Sequence, residues 1–211
     1  MGKPVIDGET MDSLADLPGA EREVRGVAGL FATSHTLLGR EATKANFFEL
    51  APSHDVIHFA GHSILNPSQP GNSSLVFSSE STDPGLLYVH EIRQVRFSRS
   101  RLIFLAACET AAGTRAGGEG VLSLARAFLA SGLPAAVGTL WPVEDSAAAQ
   151  MASRFYTHLL SGEDAITALR AAQLELLRSN TPSLRSPRAW AAFELIGATT
   201  LRSPTKGGPH D

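Results

Sequence analysis

Along this chain, short continuous apolar runs alternate with segments whose apolar positions recur every three or four residues. Residues 56–60, 102–106 and 135–140 are runs of the first kind and predict buried strands, with a last strand over 193–196. Segments of the second kind predict helices over 18–31, 41–50, 120–130, 146–160 and 164–177; in the third of these Leu122, Ala125 and Leu129 share one face. Thr36-Leu-Leu38 predicts a short strand. From Ser63 to Pro84 the composition turns to Asn, Pro, Ser, Gln and Gly, broken by Ser74-Leu-Val-Phe-Ser78, which predicts a long loop folding back as a short hairpin. A loop of that length inside a compact domain is more often functional than idle.

Apolar strands alternating with amphipathic helices predict an α/β fold, a mainly parallel sheet covered by helices on both faces. In such a fold the active cleft lies at the carboxyl ends of the strands. The polar, unpatterned residues 1–17 and the Pro- and Gly-rich residues 201–211 are expected to be flexible, leaving one domain over 18–200.

With 211 residues, 43% of them hydrophobic and 18% charged, the chain can bury one sizeable core. Its formal net charge is -3 and its Lys and Arg residues are scattered, so neither the basic footprint of a nucleic-acid binder nor a polybasic membrane anchor is present. The N-terminus shows no apolar leader core, and no run approaches the ~18 apolar residues of a membrane span. A single cysteine, Cys108, excludes an internal disulfide; these features together predict a cytoplasmic protein and leave a free thiol to be explained.

That thiol stands where an apolar run stops, in Arg101-Leu-Ile-Phe-Leu-Ala-Ala-Cys108-Glu, and a second run, Asp55-Val-Ile-His-Phe-Ala-Gly-His62-Ser63, stops in the same way on a histidine. A cysteine attacks as its thiolate, and a neighbouring imidazole takes its proton and later returns it to a leaving amine. Taken alone, Cys108 reads as a small buried hydrophobe; the matching His62 shifts the reading towards a nucleophile and its base. His58 lies mid-strand on the same face as His62 and reads as a satisfied core histidine, too far along the strand to share a metal with it. No metal site is expected, because cysteine, histidine and carboxylate ligands at close spacing are lacking. The glycine-rich stretch 113–120 lacks the Lys-Ser/Thr of a phosphate loop and the spacing of a dinucleotide site, so it reads as an active-site loop and no cofactor is expected. Glu144 and Asp145, after Trp141-Pro142, are read in two ways: as first-turn acids of the following helix, or as carboxylates that receive a basic group of a substrate.

The ordered set His-Phe-Ala-Gly-His62, Ala-Ala-Cys108-Glu-Thr, Gly-Gly-Glu-Gly120, Gly-Thr-Leu-Trp141-Pro-Val-Glu-Asp145, Arg-Phe-Tyr156, Ala168-Leu-Arg-Ala-Ala-Gln173 and Trp190-Ala-Ala-Phe193 resembles the CHAT domain. That family is similar to caspases and separases, cysteine peptidases with a His–Cys dyad on a three-layer α/β sandwich. The resemblance implies His62 as general base and Cys108 as nucleophile, with the backbone N–H groups of Ser63 and Cys108 as oxyanion donors. It further implies that Asp145, with Glu144 and Trp141 beside it, binds a basic residue at the cleavage site of a protein or peptide substrate. Two departures stand out. Ser63 replaces a residue that is often glycine in the caspase-like group, and only Pro4-Val-Ile6 stands where family domains carry further strands ahead of Leu17. The resemblance therefore also implies a sheet edge that is missing, unpaired or supplied by another chain, and a separate activating or targeting partner of the helical-repeat kind. A non-catalytic interaction module on the same fold, or a truncated domain, is the alternative.

Overall fold

A computed structural model describes residues 5–6, 9–10, 17–66, 68–109 and 122–199. Two short segments, β1 (Val5–Ile6) and β2 (Glu9–Thr10), pair antiparallel. The main body begins with helix α1 (Pro18–Ala28) and helix α2 (Lys44–Leu50). Strand β3 (Val56–Ile64) follows, then β4 (Ser74–Val76), β5 (Leu86–Tyr88) and helix α3 (Val89–Ile92). Strand β6 (Leu102–Glu109), helix α4 (Leu122–Ala130) and strand β7 (Ala135–Thr139) lead into the long helices α5 (Asp145–Leu160) and α6 (Ala165–Leu177). Two short helices, α7 (Pro182–Arg185) and α8 (Pro187–Trp190), precede strand β8 (Phe193–Gly197).

Among the described residues the larger sheet has the order β5-β4-β3-β6-β7-β8. The expectation of a mainly parallel sheet holds only at its centre, where β3, β6 and β7 are parallel; β4, β5 and β8 join antiparallel, so the sheet is mixed. The reason lies in the connections. Parallel neighbours need a helical crossover, whereas β4 and β5 are arms of a hairpin whose turn ends on Gly85 at φ +82, and α8 turns the chain straight back along β7.

Alternation along the strands divides the core into two layers. Val56, Ala60, Phe104, Ala106, Val137 and Phe193 face α1, α5 and α6, while Ile57, Phe59, Ile103, Leu105 and Ala136 face α2, α3 and α4. The result is a three-layer α/β sandwich. Helix α5 earns its place through Ala148, Met151, Ala152, Phe155, Tyr156 and Leu159, all buried at helical spacing. On the opposite layer the buried Lys44 ties α2 to the hairpin turn by an ion pair to Asp83 at 3.1 Å and to α3 by one to Glu91 at 2.7 Å.

Three sequence expectations need correction. Helix α1 stops at Ala28 rather than 31, because Phe31 leaves the helical path to pack edge-on against Tyr156 at 5.3 Å. Residues 39–41 form a 3-10 turn, and α2 starts only after the Thr43 side chain accepts the Asn46 N–H as its cap. Thr36-Leu-Leu38 is not a strand: Leu38 has extended angles (φ -131, ψ 152), but among the described residues no ladder reaches it.

At the far end of α5, His158 bridges two acids, with Nδ1 2.8 Å from Glu163 and Nε2 2.7 Å from Glu175. These hydrogen bonds, led by that from Glu163, raise its pKa above the ordinary 6.5. A histidine whose pKa is raised on folding adds stability below its unfolded pKa and loses it as pH climbs through the folded value. The Tm difference between wild type and His158→Ala is therefore expected to be larger at pH 5.5 than at pH 8.5, as measured by calorimetry.

Candidate active site

His62 and Cys108 lie on adjacent central strands. The parallel ladder runs from Val56 opposite Leu102 to Ser63 opposite Glu109, and in it His62 stands directly opposite Cys108. Neighbouring strands lie about 4.8 Å apart, which brings the two residues side by side across the ladder. The register is fixed by packing: a slip of one residue would move Ile57, Phe59, Ile103 and Leu105 out of their layer and into the other. His62 shares its parity along β3 with His58, and Cys108 shares its parity along β6 with Phe104 and Ala106, so both register positions belong to the α1/α5 side.

The strand ends shape the surroundings. Pairing of β6 with β7 covers only Leu102, Ile103 and Phe104, so residues 105–109 run past β7 with β3 as their described neighbour. Such divergence at the carboxyl ends of parallel strands opens the crevice where α/β folds place their ligands. His62 is half-buried, with Nδ1 shielded from solvent. Ser63 is fully buried and held in the sheet between Leu75 and Glu109, a strand residue rather than the first residue of a loop.

Beneath His62, His58 is a core histidine as the sequence suggests, but it is hydrogen-bonded at only one of its ring nitrogens. Its Nδ1 lies 3.3 Å from the Tyr156 hydroxyl, and its Nε2 lies 3.1 Å from Glu23 Oε1, close but not aligned as a hydrogen bond. Burial, then the nearby Glu23 carboxylate, pushes the Tyr156 hydroxyl well above its ordinary pKa, so it stays protonated. Sequence reasoning missed this Glu23–His58–Tyr156 cluster, which joins α1, β3 and α5. Glu23 did carry a signal, since it occupies the buried stripe of α1 between Gly19 and Val27.

The residues after β7 are placed at the same end of the sheet but are engaged by helices. The half-buried Trp141 donates its indole N–H to the Arg188 carbonyl at 3.1 Å. Glu144 is the exposed N-cap of α5; its carbonyl accepts from Ala147 and Ala148, and its carboxylate accepts from Ser146 Oγ at 3.1 Å. Asp145 opens α5, and its side chain lies against the first turn of α1: a Cβ added at Gly19 would overlap the carboxylate and sit 2.6 Å from the Asp145 Cβ. Two helix N-termini, each the positive end of its dipole, thus meet one acid. Gly19→Ala is expected to displace Asp145 and to cost about 1–3 kcal/mol of stability as an overpacked contact, read by chemical denaturation.

Three further motif residues have structural work. The Gln173 amide donates to the carbonyls of Trp190 (3.3 Å) and Phe193 (3.0 Å), and the Trp190 indole donates to the Arg185 carbonyl at 3.1 Å, so the α8–β8 corner is pinned to α6 and α7. The glycine-rich stretch 113–120 lies outside the described residues. Among the described residues, no group of three or more His, Cys, Asp or Glu side chains is placed to hold a metal ion, and no helix is long and apolar enough to cross a membrane.

A family model described as the CHAT domain matches residues 3–198. Tetratricopeptide repeat protein 28 of Mus musculus is 28% identical over 240 aligned residues, covering 97% of this chain and 10% of the relative, and the Homo sapiens protein of the same name matches to the same extent. The chain thus spans about a tenth of the length of the curated relatives it matches.

Proposed function

Because the chain belongs to the CHAT domain family, we propose that it is a caspase-like cysteine endopeptidase domain with His62 and Cys108 as its dyad. The observation that carries this reading is the register of β3 and β6, which sets His62 opposite Cys108 at the open carboxyl end of the sheet.

In this reading His62 takes the thiol proton of Cys108, and the thiolate sulfur attacks the carbonyl carbon of the scissile peptide. The C–S bond forms as the carbonyl π pair moves onto oxygen, where the N–H groups of Ser63 and Cys108 receive it. Collapse of that intermediate expels the amine, which takes its proton from the His62 imidazolium. A water molecule, deprotonated by His62, then attacks the thioester; the carboxylic acid leaves and the proton returns to the thiolate.

Asp145, at the joined N-termini of α1 and α5, is the acid assigned to a basic residue on the substrate, with Trp141 and Glu144 beside it. A fluorogenic peptide library varied at the residue before the cleaved bond tests this. Cleavage restricted to Arg and Lys, and weakened selectively for them by Asp145→Asn, is the expected result; an unchanged preference in the variant removes Asp145 from the pocket. The relatives are named as tetratricopeptide repeat proteins, so a helical-repeat protein or domain is the partner proposed to target or activate the site.

One observation favours a second reading. Ser63 is buried and paired on both sides within the sheet, which restricts the backbone where caspase-like enzymes often use glycine. A domain that binds partners through the same fold without cleaving would show a slow, His62-independent thiol.

A further inference from the structure

The basic residues of this chain, scattered elsewhere, gather once. Residues 93–101 (RQVRFSRSR) hold four of its 18 Lys and Arg and no acid. This segment carries the chain from α3 to β6, and its packing depends on other side chains. Ile92 just before it, Phe97 and Ser100 are buried, whereas Arg93, Arg96, Arg99 and Arg101 are all exposed.

The segment is held from beneath. The Phe97 ring packs against those of Phe47 and Phe128, with centroids 6.3 and 5.6 Å away. The Ser100 hydroxyl donates to the Ala51 carbonyl at 2.7 Å, and the backbone N–H groups of Arg99 and Arg101 donate to the carbonyls of Pro52 and Asp55 at 3.2 and 2.8 Å. A backbone fixed in this way lowers the ordering cost of binding through the side chains it projects. Arg99 is matched within the fold, its guanidinium donating to the Asp55 carboxylate at 2.7 Å. Among the described residues Arg93, Arg96 and Arg101 take part in no ion pair and no side-chain hydrogen bond. Three like charges thus stand within nine residues with no acid of the fold to offset them, in a chain whose formal net charge is -3.

We propose that the 93–101 segment is a docking surface for an acidic segment of a partner polypeptide, whose carboxylates pair with Arg93, Arg96 and Arg101. Guanidinium forks match carboxylates in bidentate fashion, and eight residues of chain reach at most about 28 Å, which sets the scale of the acidic run. The chemistry around the arginines selects this occupant. Phe97 is turned inward and offers no ring for a nucleic-acid base to stack on, and the net negative charge of the chain repels a long phosphate backbone beyond the patch. The exposed large apolar side chains, Leu30, Ile166 and Leu177, lie outside the segment, so it has no anchor for a membrane surface. Arg101 adjoins the amino end of β6 while Cys108 stands near its other end, so a docked partner leaves the crevice open. The proposal is independent of the catalytic reading, because occupancy is read by binding and not by cleavage.

The test uses the full chain and a fluorescein-labelled peptide of sequence Glu-Asp-Gly-Glu-Asp-Gly-Glu-Asp, with a control in which Gln and Asn replace Glu and Asp. Saturable binding of the acidic peptide by anisotropy is expected, absent for the control and weakened about tenfold between about 50 and 300 mM salt. Combining Arg93→Gln, Arg96→Gln and Arg101→Gln should weaken binding about tenfold or more at unchanged Tm, the summed effect of three exposed charge pairs. Combining Arg170→Gln, Arg178→Gln and Arg188→Gln, at exposed arginines elsewhere, should leave binding unchanged. No binding at low salt, salt-independent binding, or equal losses in the two triple variants overturns the proposal. Tighter binding of a twelve-nucleotide oligothymidylate or of phosphatidylserine vesicles also overturns it, and assigns the patch to a nucleic acid or to a membrane.

Discussion

Replacing Cys108 with alanine is expected to lower kcat/KM for peptides cleaved after Arg or Lys by about four to six orders of magnitude, the scale on which loss of a covalent nucleophile is felt. In the proposed mechanism the substitution removes the one atom that forms the thioester and leaves binding groups in place, so KM should change far less than kcat. His62→Ala should fall nearly as far, and the double variant no further than Cys108→Ala alone. In the proposed mechanism the two residues act as one unit, and once the thiolate is gone there is no proton left for the imidazole to manage. Cleavage surviving in Cys108→Ala would assign the activity to another group.

The second large effect is on stability. Phe104→Ala is expected to cost about 3–5 kcal/mol, lowering Tm by roughly 6–20 °C for a domain of this size. Phe104 is fully buried at the centre of β6, with ring centroids 5.4 Å from His58, 5.4 Å from Phe155, 5.7 Å from Tyr156 and 5.8 Å from Phe193. Truncation leaves a cavity at the junction of β3, β6, β8 and α5, and it loosens the ladder that sets His62 against Cys108. Guanidinium unfolding of the variant measures it; a loss below about 1 kcal/mol would mean that this layer repacks freely and does not hold the register.

The core of the fold was legible because β7 and residues 102–106 of β6 are buried on both faces and β3 is buried on one and half-buried on the other, so all three read as continuous apolar runs, a signal that short alternating strands do not give. Helices α5 and α6 were legible for the complementary reason, apolar residues at helical spacing, with Asp164 capping α6 through the Thr167 N–H. Residues 29–43 were misread. Leu30 and Phe31 extend the apolar period of α1, but Phe31 is used for a ring contact with Tyr156, and Leu37 has the composition of a strand but no ladder partner among the described residues. Local propensity does not report whether a strand finds a partner. Strand β5 and helix α3 were missed because each is very short and takes its stability from Leu75, Leu87 and Ile92 packed beneath the sheet.

At the site, the positions of His62 and Cys108 at the ends of two apolar runs were visible in the chain, whereas their exact alignment across the ladder follows from packing on both faces of the sheet. The two readings of Glu144 and Asp145 separate only in three dimensions. Glu144 holds the N-cap position of its own helix with its carboxylate on the Ser146 hydroxyl, while Asp145 reaches a second helix through the space that Gly19 leaves. Neither fact is encoded in the spacing of the two acids.

The most direct measurement exploits the single cysteine of the chain, which makes any alkylation a report on Cys108 alone. The rate of labelling by iodoacetamide is followed from pH 5 to pH 10 in the folded wild type and in His62→Ala. An imidazole-paired thiol should label rapidly well below the free-thiol pKa of about 8.5, and the variant should shift the profile back to that value and slow the neutral-pH rate at least tenfold. A wild-type profile centred at or above 8.5 and unchanged by His62→Ala would contradict the dyad and leave the fold as a binding module.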